Sequence, residues 1–283
     1  MIKGIILDVD GVIVGEKIGY NSPYPHPDVI ARLKAIESKG VAISLCTAKP
    51  HYAIRQIIDD AELRSLHITD GGAVAIDPID NIVLASHPID TDLAQQVVRA
   101  YLDSGVYVEA YAKDEYLIDE PQQSELTSTH SHILQCQPRL CLSLVEEIGK
   151  QDIFKIMPVA KDETDKARLE AVFKPFAANL TLSWGVHRIA LPHQFGIITA
   201  RGISKQQAAL EIAKHNKIAS DELLGIGDST SDWQFIGQCG YAATLENGSP
   251  ELKELVAGKG PKSCIGGSVD DNGVLAIFDY FGL

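Results

Sequence analysis

No run of roughly 18 apolar residues occurs anywhere in the sequence, so it offers no candidate membrane-spanning helix. It also lacks any Lys/Arg-rich run: 38 Asp and Glu outweigh 25 Lys and Arg, for a formal net charge of −13. Nucleic acids and acidic membranes attract basic patches, so both are disfavoured as partners. Small phosphorylated molecules are not excluded, because local charges and bound metals set the field inside a cleft. Cysteine is scarce and unpatterned. Cys46, Cys136, Cys141, Cys239 and Cys264 are an odd set with no C-x-x-C pair and no His at zinc-ligand spacing. They read as core thiols in a reducing compartment rather than a disulfide framework. The opening apolar stretch, Met1 to Leu7, reaches Asp8 before attaining the length of a secretory h-region, and a cytoplasmic location is expected. Internal repeats, low-complexity tracts and long flexible linkers are missing too.

What is present is a globular chain of 283 residues, 45% of them hydrophobic, enough for a large core in one large domain or two. Three short apolar runs end in polar residues that can do chemistry: Ile5 to Leu7 before Asp8, Val41 to Cys46 before Thr47, and Leu223 to Gly227 before Asp228. Each reads as a buried strand. Between the first two, Val29, Ile30, Leu33 and Ile36 keep helical spacing, with Pro27 at the start and Gly40 just past the end. A strand, helix, strand order predicts a parallel sheet with right-handed crossovers, whose strand ends share one edge. Open parallel sheets bind ligands at that edge. From about Leu84 to Ala190 the pattern changes to helical sets (Leu93/Val97/Val98/Tyr101 and Leu169/Val172/Phe173/Phe176) interleaved with short β-like runs. The βα rhythm resumes at Phe195. The prediction is therefore an α/β protein with a Rossmann-like parallel-sheet core, residues 1–84 and 191–283, into which an α+β module, residues 85–190, is inserted.

Four constellations carry the chemistry. In Asp8-Val9-Asp10-Gly11 two carboxylates alternate at a strand end and a glycine lets the chain bend. Such a pair can share a hard cation through a side-chain oxygen and a backbone carbonyl. One carboxylate can attack phosphorus while the other protonates the leaving oxygen and then activates water. Taken alone, the same tetrapeptide also suits an Asx turn. In Leu45-Cys46-Thr47-Ala48-Lys49, Thr47 can donate its hydroxyl, and the N–H groups from Ala48 onward can face an anion at a helix start, although Thr47 also suits an N-cap. Ser204 and Gln207 have capping-box spacing, which puts Lys205 in the first turn of a helix. A lysine there opposes the helix dipole and wants an anion or a carboxylate partner, unless it is solvated. Finally, Gly227-Asp228-Ser229-Thr230-Ser231-Asp232 ends a buried strand: Asp228 can complete an oxygen-only magnesium site, and Asp232 can bind through water or orient its neighbours.

In this order the four motifs resemble those of the haloacid dehalogenase superfamily of phosphotransferases, matching Asp8/Asp10, Thr47, Lys205 and Asp228/Asp232. Thr47 follows Asp8 by 39 residues and Lys205 follows Thr47 by 158, so the inserted module lies between the second and third motifs. That is similar to the Cof-type branch with an α+β cap. Asp70-Gly71-Gly72-Ala73, Glu246-Asn247-Gly248 with Lys253, and Asn272-Gly273-Val274 add to the likeness. Three residues depart from it, Ala48, Lys49 and Ser231, where the branch usually has glycine, arginine and asparagine. The resemblance implies a Mg2+-dependent phosphomonoester hydrolase acting on a sugar phosphate or another small organic phosphate, as a monomer or homodimer. Asp8, Asp10, Thr47 and Lys205 would be catalytic. Asp8, Thr47, Ala48 and Lys205 would bind phosphate, and Asp8, Asp10 and Asp228 the metal, with Asp232 behind them. A sugar phosphomutase of the same superfamily and a non-catalytic phosphometabolite-binding protein are the alternatives.

Overall fold

The structure, a computed structural model, describes residues 1–79 and 82–283. In chain order its strands are β1 Gly4–Leu7, β2 Ala42–Leu45, β3 His67–Thr69, β4 Val74–Asp77, β5 Ile82–Ser86, β6 Tyr107–Tyr111, β7 Tyr116–Asp119, β8 Arg139–Cys141, β9 Lys155–Ala160, β10 Leu180–Gly185, β11 Gln194–Ala200, β12 Leu223–Ile226, β13 Tyr241–Leu245 and β14 Ser263–Gly266. The helices that matter for the site are α1 Pro27–Ser38, α2 His51–Asp60, α3 Thr91–Asp103, α4 Glu125–Leu134, α5 Leu144–Ile148, α6 Glu163–Phe173 and α7 Lys205–Asn216. No described helix is long and apolar enough to cross a membrane.

The first sheet runs β14-β13-β12-β1-β2 and every pairing in it is parallel. β1 lies between β12 and β2 and is buried along its whole length because Gly4-Ile5-Ile6-Leu7 has helices on both faces to pack against. Helix α1 starts at Pro27 and buries Val29, Leu33 and Ile36 of the predicted stripe, with Ile30 half-buried, while Gly40 takes φ +85° just beyond it. A second sheet, β10-β11-β9-β6-β7-β8, is antiparallel except for the β7/β8 pair. α3, α5 and α6 cover one face of it, burying Val97, Val98, Tyr101, Leu144 and Leu169. The fold is thus a parallel-sheet α/β core with an inserted α+β module.

One strand differs from the expectation. The apolar stretch Phe195 to Ile198 reads equally well in either sheet, and the structure pairs β11 with β10 and β9, in the inserted module and not in the core. The core's βα rhythm resumes only at α7.

A third, three-stranded sheet β3-β4-β5 joins the core through a parallel bridge between Cys46 and Ile68. His67 makes a second tie: its Nδ1 accepts the N–H of Leu45 at 3.0 Å, and the ring is fully buried. With Nδ1 accepting, the neutral ring carries its proton on Nε2. Burial pushes the His67 pKa down to about 3 from 6.5. Between those values the unfolded chain binds a proton that the folded one excludes, so stability is full above pH 6.5 and falls as the pH drops toward 3. The loss should approach about 5 kcal/mol. Urea titrations across pH should show it, and His67→Asn, whose amide oxygen can accept the same N–H, should flatten that acid slope. Equal slopes would exclude His67 as the source.

Candidate active site

The carboxyl ends of β1, β2 and β12 open onto one cavity, and Asp8, Asp10, Thr47, Ala48, Lys205 and Asp228 all line it. Asp8 leaves β1 as the chain turns: the N–H groups of Val12, Ile13 and Val14 all point to the Val9 carbonyl, and Gly11 takes φ +73°. A Cβ at Gly11 would collide with the Asp228 carboxylate, so glycine there permits close approach as well as the bend. The Asn247 amide donates to the Gly11 carbonyl at 2.8 Å, and its oxygen accepts the Val269 N–H at 2.8 Å, which anchors the turn from outside.

Lys205, at the first position of α7 and capped by the Ser204 hydroxyl, reaches Asp8 Oδ2 at 2.7 Å and Asp232 Oδ1 at 2.6 Å. The Ser204 half of the predicted capping box, accepting the Gln207 N–H, and a carboxylate partner for Lys205 are both present. The remaining Asp232 oxygen, Oδ2, accepts the N–H groups of Asp228 and Ser229 and the Ser229 hydroxyl, so this carboxylate is saturated with donors and orients the loop. One oxygen each from Asp8, Asp228 and Asp232 lie within 4.8 Å of one another. The Asp10 carboxylate stays out of that cluster: its Oδ1 is 2.9 Å from Lys49 Nζ and 3.4 Å from His187 Nε2.

Electrostatics follow that geometry. Burial, with Asp232 and Asp10 adding to it, pushes the Asp8 carboxyl up to about 7 against the pull of Lys205. Burial and the repulsion of Asp232 and Asp8 push Asp228 well above the usual carboxylate range. For Asp232 burial is outweighed by Lys205 and the N–H groups around it, and its carboxyl is held below that range. Asp10 is likewise held low, where Lys49 and His187 overcome burial. Burial disfavours the Lys205 charge, yet Asp232 and Asp8 raise its pKa well above the ordinary lysine value. Three acidic side chains share one ammonium, and the resistance of Asp8 and Asp228 to ionisation is what a hard cation bound among their oxygens would relieve.

The motif at Thr47 has a different local form from the expected cap. Helix α2 begins at His51, behind Pro50, so Thr47 does not cap it. Instead the Thr47 hydroxyl accepts the Lys49 N–H at 3.1 Å, which leaves the hydroxyl proton free to be donated into the cavity. The Asp70-Gly71-Gly72 turn closes over this loop: Gly71 donates to the Thr47 carbonyl at 3.1 Å and Asp70 to the Lys49 carbonyl at 3.0 Å. All three turn residues have positive φ, and a Cβ on Gly72 would press on the Ser204 carbonyl, just before Lys205.

Sequence reasoning missed Lys49 and His187 as partners of Asp10. Lys49 stands beside a motif, and its burial was the missing sign. His187 sits in the β10–β11 connection, in no recognisable pattern. Next to it Arg188 pairs with Glu16 at 2.9 Å and donates to the Asn247 carbonyl at 3.0 Å, fastening the inserted module to the core at the rim of the site.

A family model described as haloacid dehalogenase-like hydrolase matches residues 5–278. The 5-amino-6-(5-phospho-D-ribitylamino)uracil phosphatase YwtE of Bacillus subtilis is 20% identical over 98% of this chain and 97% of its own. Among solved structures, a haloacid dehalogenase-like hydrolase from Bacteroides thetaiotaomicron superposes with TM-score 0.82 at 15% identity, covering 99% of this chain and 100% of that one. The subclass IIB sugar phosphatase BT4131 superposes with TM-score 0.78 at 19% identity, over 99% of each chain.

Proposed function

Because this chain belongs to the haloacid dehalogenase-like hydrolases, in their Cof-type branch, and is a phosphatase among them, we propose that it hydrolyses the monoester of a sugar or another small organic phosphate, with Mg2+, through an aspartyl-phosphate on Asp8. The observation that carries this reading is the junction of Lys205 with Asp8 and Asp232, at 2.7 Å and 2.6 Å, beside a second carboxylate, Asp10, held by its own cation.

In the first step an Asp8 oxygen attacks phosphorus in line, the bond from phosphorus to the alcohol oxygen breaks, and Asp10 delivers a proton to that oxygen. In the second, Asp10 takes a proton from water as the water oxygen attacks phosphorus, and the bond to Asp8 breaks to free inorganic phosphate. Lys49 and His187 hold the resting Asp10 ionised, so its proton must arrive before the first step, and His187 Nε2 is the ring nitrogen next to it, at 3.4 Å. Lys205 and the Thr47 hydroxyl, with the N–H of Ala48, neutralise and orient the phosphate oxygens. Bound to the Asp8 and Asp228 carboxylates and the Asp10 carbonyl, with Asp232 behind, Mg2+ would supply further charge neutralisation. Enhancements for phosphate monoesters approach 10²¹, roughly 28 kcal/mol, which no one residue supplies.

The inserted module, residues 85–190 together with β11, serves as the cap that excludes water and selects the alcohol. A cytoplasmic site of action agrees with free thiols at all five cysteines.

Incubation with a panel of sugar phosphates, nucleotides and cofactor phosphates tests the proposal. Inorganic phosphate and free alcohol should appear in equal amounts, disappear with EDTA and return with Mg2+. An isomeric sugar phosphate in place of inorganic phosphate would mean a mutase. A raised melting temperature without turnover would mean a binding protein.

A further inference from the structure

The hydrolytic chemistry leaves unused a buried polar cluster in the cap. Glu109, on β6, is fully buried and receives three side-chain donors: Tyr107 Oη at 3.0 Å and His130 Nδ1 at 2.8 Å on Oε1, and Tyr111 Oη at 2.5 Å on Oε2. A buried carboxylate needs all of these, and a fully satisfied network of this kind holds its members rigidly. The member that reaches the cavity is His130, on α4. Its ring is fixed on one side by Phe195, with centroids 4.8 Å apart, and by Glu109 through Nδ1. Nε2 is therefore the hydrogen-bonding atom the ring has left to offer, in the same cavity that Asp8 lines from the core.

Lys155, the cation nearest this cluster, is already committed. It donates to the Ala48 carbonyl at 2.7 Å, pairs with Asp70 Oδ1 at 3.1 Å and lies 3.7 Å above the Tyr111 ring. It braces the Thr47 loop against the cap, and although it lines the cavity its ammonium is already engaged by these protein groups. Around His130 the wall is apolar, formed by Ile133, Leu134, Met157, Phe195 and Ile197. The hydroxyls on the cap sheet, Thr181, Ser183 and Thr199, line the cavity from β10 and the far end of β11.

We propose that His130, oriented by Glu109, is the specificity-determining residue of the cap, and that it binds the hydrogen-bonding edge of a flat, largely apolar ring in the alcohol part of the phosphate ester. This rests on the phosphatase reading above and narrows its substrate class. A hexose carries hydroxyls on most carbons, and a wall of five apolar side chains leaves those facing it unpaired, which selects against it. A flat ring buries its faces against Phe195 and Ile197 and needs one edge satisfied, which a single held imidazole provides.

Steady-state kinetics of the whole enzyme with Mg2+ on three esters test this: pyridoxine 5′-phosphate, phenyl phosphate, which has the ring without the polar edge, and glucose 6-phosphate. The wild type should favour pyridoxine 5′-phosphate over glucose 6-phosphate by at least about 10-fold in kcat/KM. His130→Asn keeps a donor for Glu109 but removes Nε2. In it the ratio of kcat/KM for pyridoxine 5′-phosphate over phenyl phosphate should fall by roughly 10- to 100-fold, mainly through KM. A wild-type preference for glucose 6-phosphate overturns the proposal even if the variant fails to fold, and so does an unchanged ratio in a folded variant. Turnover of none of the three, while the wider panel of esters still yields inorganic phosphate, overturns this substrate class alone; no release from any ester of that panel overturns the phosphatase reading itself.

Discussion

Replacing Asp8 with Asn is expected to lower phosphate release from an aryl phosphate by at least about 10⁴-fold while leaving the protein folded. The amide occupies the same volume and can still accept the Val9 N–H that Asp8 Oδ1 receives at 2.7 Å. What it lacks is the anionic oxygen that would bond to phosphorus, so the covalent route closes and only orientation and charge neutralisation remain. Stability should move the other way from activity. Burial and the charges of Asp232 and Asp10 push the Asp8 carboxyl up to about 7, which means that the folded, metal-free protein resists its ionisation. The sign follows from linkage: a carboxyl raised in the folded state subtracts stability at pH above its unfolded value, in full above about 7, and an amide removes that penalty. The melting temperature of metal-free Asp8→Asn at pH 8 should therefore equal or exceed that of the parent. Turnover at the parent rate would assign the nucleophile elsewhere. A collapse in melting temperature would show that the Asp8 charge holds the site together instead of straining it.

Asp8, Thr47, Lys205 and Asp228 were legible because each ends a local pattern: a buried strand that stops at a polar residue, or a cap followed by a helical stripe. Chain-local physics suffices there. The second sheet was less legible. Its outlying strands β7 and β8 are short, and α4 has an inner face of Thr127, His130 and Ser131 beside Ile133 and Leu134, so no apolar period announces it. Those polar residues are buried because partners on other elements satisfy them, Glu109 and Tyr107 from β6 and Tyr116 from β7. Pairings of that kind are created by the fold. The same holds for His187, which gains meaning only when the β10–β11 connection is laid over Asp10, and for β11, whose apolar run fits a parallel or an antiparallel sheet. That the strand-end residues meet at one cavity could thus be read from sequence, whereas the buried polar pairings of the inserted module could not.

Lys205→Met should be the most damaging single change to the metal-free protein, costing about 3–5 kcal/mol in stability, and should also reduce turnover by roughly 10²- to 10³-fold. Among the described residues Lys205 is the one ammonium in contact with Asp8 and Asp232, and Asp228 lies within the same 4.8 Å cluster. Methionine fills much of the space of the lysine stem, so the loss is that of the ammonium, with its contact over the Phe235 ring, and not of volume. Without the ammonium three carboxylates face one another, and two can respond only by taking up protons. The destabilisation should then shrink as the pH falls and the carboxylates are neutralised, and Mg2+ should restore part of the melting temperature, because a divalent ion supplies the missing positive charge. Turnover should not return with it, since Mg2+ does not occupy the lysine's place against the phosphate oxygens. Thermal melting with and without Mg2+ at pH 5.5 and pH 8, beside phosphate release, separates these effects. A variant whose stability is insensitive to both pH and Mg2+ would show that the acidic cluster does not depend on Lys205 for its charge balance.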